Sequence, residues 1–334
     1  MEDKVNQILS SYNLNVRNLI SQNESNEVYK IIDDKENQYL LKIYGKNNAY
    51  DIMPNEIIYH TLEQIQVESD ILNLLANSRL GTAIPIKNKT NEFVTVLKNE
   101  AAYATLTSFI SSELTEQSTT QLNPEIAYSV GVSTALLHLE SEKNLLPLAV
   151  KRPHKRQEYI EKIRTRLAYG VEICSLTTKQ FEMLSQCCDI VINCMNQLDE
   201  DLNDNVGLVH TDIRPGNFIY TAEKTVLIDF SRSVYSYYLY DLGEMCLHDG
   251  FGGSSIELQN AILRGYHSIK PLKEKHFFMI QAFFIMFIMM LMAESIESLQ
   301  DTWLGNVLTW LENEIHPGLM SGKGYLDGLV FENI

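Results

Sequence analysis

The segment His210-Thr-Asp212-Ile-Arg-Pro-Gly-Asn217 is followed twelve residues later by Asp229, at the end of the apolar run Val226-Leu-Ile-Asp-Phe230. This spacing restricts what the chain can fold into. A tight turn lets Asp212 and Asn217 face one cleft. The alternating stretch from Thr225 to Asp229 reads as a hairpin strand that delivers a second carboxylate opposite them. Phosphoryl transfer needs these parts: a carboxylate to accept the proton of an attacking hydroxyl, and an amide oxygen and a carboxylate to hold the Mg²⁺ that bridges nucleotide phosphates. The plain alternative is a capped loop, a hairpin and an unrelated Asp, which requires three polar residues and a strand context to coincide.

The 334 residues suffice for one large domain or two ordinary ones. Lys+Arg number 27 against Asp+Glu 43, a net charge of −16. That excludes nonspecific nucleic-acid binding, which needs a basic surface. It favours cationic small molecules, or serves solubility alone. The five cysteines (Cys174, Cys187, Cys188, Cys194 and Cys246) include no Cys-x-x-Cys pair and no zinc spacing. Reduced thiols in a cytoplasmic protein are the plain reading. The polar, acidic N-terminus does not read as a signal peptide. The apolar run Phe277–Ala293 approaches membrane-span length, but Gln281 interrupts it and Glu294 and Glu297 follow. A buried core helix is expected there, and no membrane partner.

An amphipathic helix is expected over residues 1 to about 19, with Val5, Ile8, Leu9 and Tyr12 on one face. Three strands follow as a meander through Val28–Ile32 and Tyr39–Tyr44, then a helix from about 55 to 77, then strands at 83–86 and 93–97. From Leu106 onward the pattern is mostly helical, including 126–139, 158–197, 241–247 and 255–312, with the hairpin region 206–229 between. These patterns predict a mixed α/β, two-lobed chain: residues 1–100, an antiparallel sheet with one helix, and residues 101–334, larger and mostly helical with the catalytic hairpin.

If Asp212, Asn217 and Asp229 carry the chemistry, the first lobe holds the nucleotide. Lys42, inside an apolar strand, is costly unless it meets an anion or solvent. Glu68 on the following helix is its first candidate partner and Glu63 its second. The loop Ser21–Asn26 stands where a phosphate-covering loop would be, yet lacks glycine; Ser25 and Asn26 are candidate donors there.

With Lys42, the helix ending in Leu136-Leu-His138, the His210–Asn217 loop, Ile228-Asp-Phe230, Asp241-Leu-Gly243 and Gly265-Tyr266, the chain resembles the aminoglycoside phosphotransferase and choline kinase superfamily. These are small-molecule kinases of the protein-kinase-like fold. The resemblance implies Asp212 as catalytic base, Asn217 and Asp229 as Mg²⁺ ligands, and Lys42 on the α- and β-phosphates of ATP or GTP. It makes His210 a brace of the loop and Asp241 structural. Thr211 stands where the family usually has glycine. Arg214, at a variable position, either neutralises charge on the transferred phosphoryl group or is a solvated loop arginine. The basic run Lys151–Arg156 with Lys162, Arg164 and Arg166 reads as a solvated face or an attractor for an anionic acceptor. A small-molecule acceptor such as an aminoglycoside or amino alcohol is implied. The rivals are a non-catalytic pseudokinase, favoured by the glycine-free loop, and a protein kinase, disfavoured by the lack of an Ala-Pro-Glu after Asp229.

Overall fold

The computed structural model describes residues 2–23, 27–45, 60–97, 102–111, 122–201, 205–221, 224–245, 255–301 and 303–324. These divide into two compact units, Met1–Glu113 with Ile228–Arg232, and Leu114–Leu227 with Ser233–Ile334.

In the first unit, α1 (Glu2–Leu9) precedes the strands β1 (Val16–Asn23), β2 (Val28–Asp33) and β3 (Gln38–Tyr44). Next come α2 (Leu62–Ala76), β4 (Val94–Leu97) and β5 (Ala102–Ser108). The sheet is antiparallel in the order β1-β2-β3-β5-β4. Val5, Ile8, Leu9 and Tyr12 bury against Tyr29, Ile31, Leu41, Ile43 and Leu106, so α1 covers one face of the sheet. Because strand side chains alternate, Tyr44 turns to the other face and packs with Ile65 of α2 and Val94. Lys42 shares that face by the same period of two. Thr61 caps α2 by accepting a hydrogen bond from Gln64 N. Three expectations change here. The N-terminal helix, expected to about residue 19, ends at Leu9, and Val16–Asn23 pairs with β2 as a strand. Residues 83–86 contribute only an isolated bridge, Pro85 to Thr107. The segment from Ala102 to Ser108, read partly as the start of the helical region, is instead a strand paired with β3 from Tyr103 to Ser108.

The second unit opens with α3 (Pro124–Glu140), capped by Asn123, and a short α4 (Leu146–Ala149). Then follow β6 (His154–Lys155), α5 (Gln157–Glu172) and α6 (Thr178–Glu200). Sequence periodicity predicts one helical stretch over 158–197. The chain breaks it where Cys174 takes a φ of 61° and where Thr177 and Gln180 form a capping box that starts α6 afresh. The strands β7 (Val206–Val209), β8 (Phe218–Tyr220), β9 (Thr225–Leu227) and β10 (Val234–Tyr237) follow. They form a sheet β6-β10-β7 and a hairpin β8-β9.

The remaining helices are α7 (Leu239–Met245), α8 (Ile256–His267), α9 (Glu274–Glu294), α10 (Trp303–Trp310) and α11 (His316–Met320). The long apolar helix is α9, which packs against α5, α6 and α7. Its phenylalanines, isoleucines and methionines are buried almost all round, so its composition is that of a core element. Each such side chain contributes about 1.5–3 kcal/mol by leaving water. α3 and α8 approach so closely that backbone meets backbone. A Cβ on Gly131 would lie 2.0 Å from Ile262 O, and one on Gly265 would lie 2.0 Å from Tyr128 O.

Candidate active site

The loop is built from β7 upward. Leu208 and Val209 are fully buried and run into His210, which is also without exposure. The chain then turns at Thr211, whose φ of 57° lies in the left-handed region. That conformation costs an L-residue about 1–2 kcal/mol, which explains why glycine suits the position. The surroundings hold it there: Asp241 accepts His210 N through Oδ2 at 2.9 Å and Thr211 N through Oδ1 at 2.8 Å.

Asp241 is in turn held by α3. His138 Nε2 lies 3.0 Å from Asp241 Oδ2, and His138 Nδ1 lies 2.9 Å from the Tyr266 hydroxyl. All three side chains are buried. Burial pulls the His138 imidazole below its usual range, against Asp241, so it is neutral. Its Nε2–H then donates to the carboxylate, and Nδ1 accepts from Tyr266. Burial pushes Asp241 upward, but the hydrogen bond from His138 and the amide of His210 leave it below the usual carboxylate range.

Past the turn, a 3-10 segment Pro215–Asn217 closes on Arg214 O through Asn217 N at 2.7 Å. It aims the Asn217 side chain back at Asp212. Asn217 Nδ2 donates to Asp212 O at 2.9 Å and to Asp212 Oδ2 at 2.6 Å. Arg214 Nε meets the other carboxylate oxygen, Oδ1, at 3.0 Å. Asp212, Asn217 and Arg214 therefore form one cluster, in which Arg214, exposed on the loop, pairs with Asp212. With the amide nitrogen of Asn217 spent on Asp212, its oxygen is the donor left for a cation.

Asp229 and Lys42 belong to the first unit. Lys42 Nζ lies 2.9 Å from Asp229 Oδ1, and Ser231 Oγ donates to the same oxygen at 2.7 Å. Asp229 has a φ of 60°, so its backbone, like that of Thr211, holds a conformation that only firm surroundings sustain. Desolvation pulls the Lys42 ammonium down. The charge of Asp229 foremost, then Tyr44 and Glu68, outweighs it, and Lys42 ends above its ordinary value. The ion partner of Lys42 is thus Asp229. Glu68, the expected partner, is buried on α2 and acts on Lys42 through charge. Glu63 sits exposed in the first turn of α2. Tyr44 adds its ring, 5.2 Å from Lys42 Nζ.

Ser25 and Asn26 lie outside the described residues, and so does Cys246. The basic run is not a solvated face. Arg152 and Lys155 are buried. Arg152 Nε donates to Ser233 O at 2.9 Å, and the Lys155 ammonium lies 5.5 and 5.3 Å from the rings of Tyr159 and Tyr240. Arg156 pairs with Asp199, Arg164 with Asp189, and Arg166 with Glu297. Burial pushes the thiols of Cys187, Cys188 and Cys194 up to about 12, which removes them as nucleophiles at neutral pH. Sequence reasoning missed Ser231 and Tyr266 as partners. Ser231 offers no signal, whereas Gly265-Tyr266 stood in the quoted motif without a role.

A model of the phosphotransferase enzyme family (APH) matches residues 17–277. A microcompartment-associated aminopropanol kinase superposes with a TM-score of 0.68 at 17% identity, covering 97% of this chain and 99% of that one. An amicoumacin kinase in complex with AMP-PNP and Ca²⁺ gives 0.67 at 17% identity, covering 98% and 95%. A spectinomycin phosphotransferase with ADP and spectinomycin gives 0.59 at 13%, covering 93% of each. No curated protein sequence matches this chain.

Proposed function

The chain belongs to the phosphotransferase enzyme family, and on that premise we propose that it transfers the γ-phosphoryl group of ATP or GTP to a hydroxyl of a small, amine-bearing acceptor. The observation that carries this reading is the Asp212 carboxylate, pinned by Asn217 at 2.6 Å on a loop whose amides hang from Asp241. Catalysis of this kind is mostly positioning and charge neutralisation. A carboxylate fixed to that degree orients an acceptor hydroxyl and takes its proton as the oxygen attacks phosphorus.

Asn217 and Asp229 each offer an oxygen donor of the kind a hard cation such as Mg²⁺ would take. When bound, Mg²⁺ neutralises charge on the nucleotide phosphates. Lys42, kept charged, exchanges part of its pairing with Asp229 for the α- and β-phosphates. His210 and Asp241 hold the loop. The net charge of −16 raises the local concentration of cationic acceptors, and aminopropanol and spectinomycin kinases share the fold. A cytoplasmic setting suits the reduced thiols.

The test is incubation with ATP or GTP plus Mg²⁺ and a panel of amino alcohols and aminoglycosides, with mass spectrometry for a phosphorylated product. A product supports the reading. Absence of any product, together with absence of nucleotide binding, would leave the non-catalytic pseudokinase in its place.

A further inference from the structure

Arg214 is the side chain nearest the reacting carboxylate for which the family reading supplies no role. Its Nε is spent on Asp212 Oδ1 at 3.0 Å, and the side chain remains 45% exposed while that of Asp212 is 15% exposed. No protein acceptor meets its Nη1 or Nη2 among the described residues. A guanidinium is a planar fork, so an Nε bond to the carboxylate leaves the two Nη groups projecting past it. The neighbouring Gly216 leaves room for this: a Cβ there would already stand 3.3 Å from Arg214 Nη1.

We propose that Arg214 is a catalytic residue that grips the oxyanion of the phosphoryl group in transit, with its Nε on Asp212 and its Nη groups on the phosphoryl oxygens. The inference rests on the phosphotransfer reading above. The acceptor oxygen that Asp212 binds must also reach the phosphorus, so a cation anchored to Asp212 stands beside the group being transferred. In the step itself the acceptor O–P bond forms as the bond from phosphorus to the β,γ-bridging oxygen breaks. The bridging oxygen leaves with the electron pair as part of the nucleoside diphosphate, and the hydroxyl proton passes to Asp212. Charge spreads over the three equatorial oxygens, and charge-assisted hydrogen bonds to them are about twice as strong as neutral ones. An arginine here serves the transition state more than the ground state.

The experiment compares binding of ADP alone with ADP plus aluminium fluoride, in the presence of Mg²⁺, for the wild type, Arg214→Gln and Arg214→Lys. The probe mimics the planar phosphoryl group and needs no acceptor. The wild type binds the aluminium fluoride complex more tightly than ADP. Arg214→Gln keeps ADP affinity within about twofold and loses about 10- to 100-fold of that enhancement. Arg214→Lys, which keeps charge without the fork, falls between. An undiminished enhancement in Arg214→Gln overturns the role of Arg214 and leaves phosphotransfer standing. A wild type that binds no nucleotide overturns both. Should Arg214→Gln lose ADP binding through misfolding, Arg214→Lys decides: a reduced enhancement supports the grip and an equal one removes it.

Discussion

Replacing Asp241 by Asn tests the buried anchor beneath the loop. The carboxylate accepts His210 N at 2.9 Å, Thr211 N at 2.8 Å and His138 Nε2 at 3.0 Å, and it is 1% exposed. An Asn of the same shape offers one oxygen and presents an NH₂ group where a second acceptor is needed. At least one backbone N–H then loses its acceptor in a buried site, at about 1–3 kcal/mol, and the remaining bonds lose their charge assistance. Together these put the cost at about 2–4 kcal/mol. Urea unfolding measures the global loss. Hydrogen exchange at the His210 and Thr211 amides measures it locally, where protection falls first. A loss below about 1 kcal/mol with unchanged protection of both amides would refute the claim that Asp241 holds this turn.

Three further outcomes follow. Thr211→Gly relieves the left-handed φ of 57° and raises the urea midpoint by an amount equivalent to about 1 kcal/mol; a lower midpoint would mean that its side-chain contacts outweigh the strain. Gly265→Ala, which at an exposed helix position would add about 1 kcal/mol, here forces a Cβ to 2.0 Å from Tyr128 O and lowers the melting temperature, since overpacking costs about 1–3 kcal/mol. Burial first, then Lys273 and Lys275, pull the His276 imidazole down to about 4. The unfolded chain therefore binds the proton more readily, and stability is full above about 6.5 and lost as pH falls toward 4, by up to about 1.4 kcal/mol per pH unit. Urea midpoints across that window check this, and His276→Gln flattens the dependence.

The candidate loop was legible in the sequence because phosphoryl transfer would force its spacing: Asp212 and Asn217 must share one turn, and Asp229 must follow a strand. Local periodicity likewise exposed α1, whose Val5, Ile8 and Leu9 all bury, and the core helix α9. What escaped depends on contacts between segments distant in sequence. Lys42 found Asp229, 187 residues away, and not the nearer Glu68. Lys155 looked like a surface lysine in a basic run, because nothing local reveals the rings of Tyr159 and Tyr240 about it. β5 escaped because Ala102–Ser108 lacks a clean alternation; its partner β3 makes it a strand. Arg214 was ambiguous although its partner is local, because spacing alone does not say that its guanidinium turns back onto Asp212.

The most direct measurement is single-turnover phosphoryl transfer by Asp212→Asn beside the wild type, with nucleotide affinity measured on the same samples. The account predicts unchanged ATP or GTP affinity and a rate reduced on the order of 10²–10⁴-fold, the contribution of a positioned general base. Transfer at the wild-type rate by the variant would contradict it.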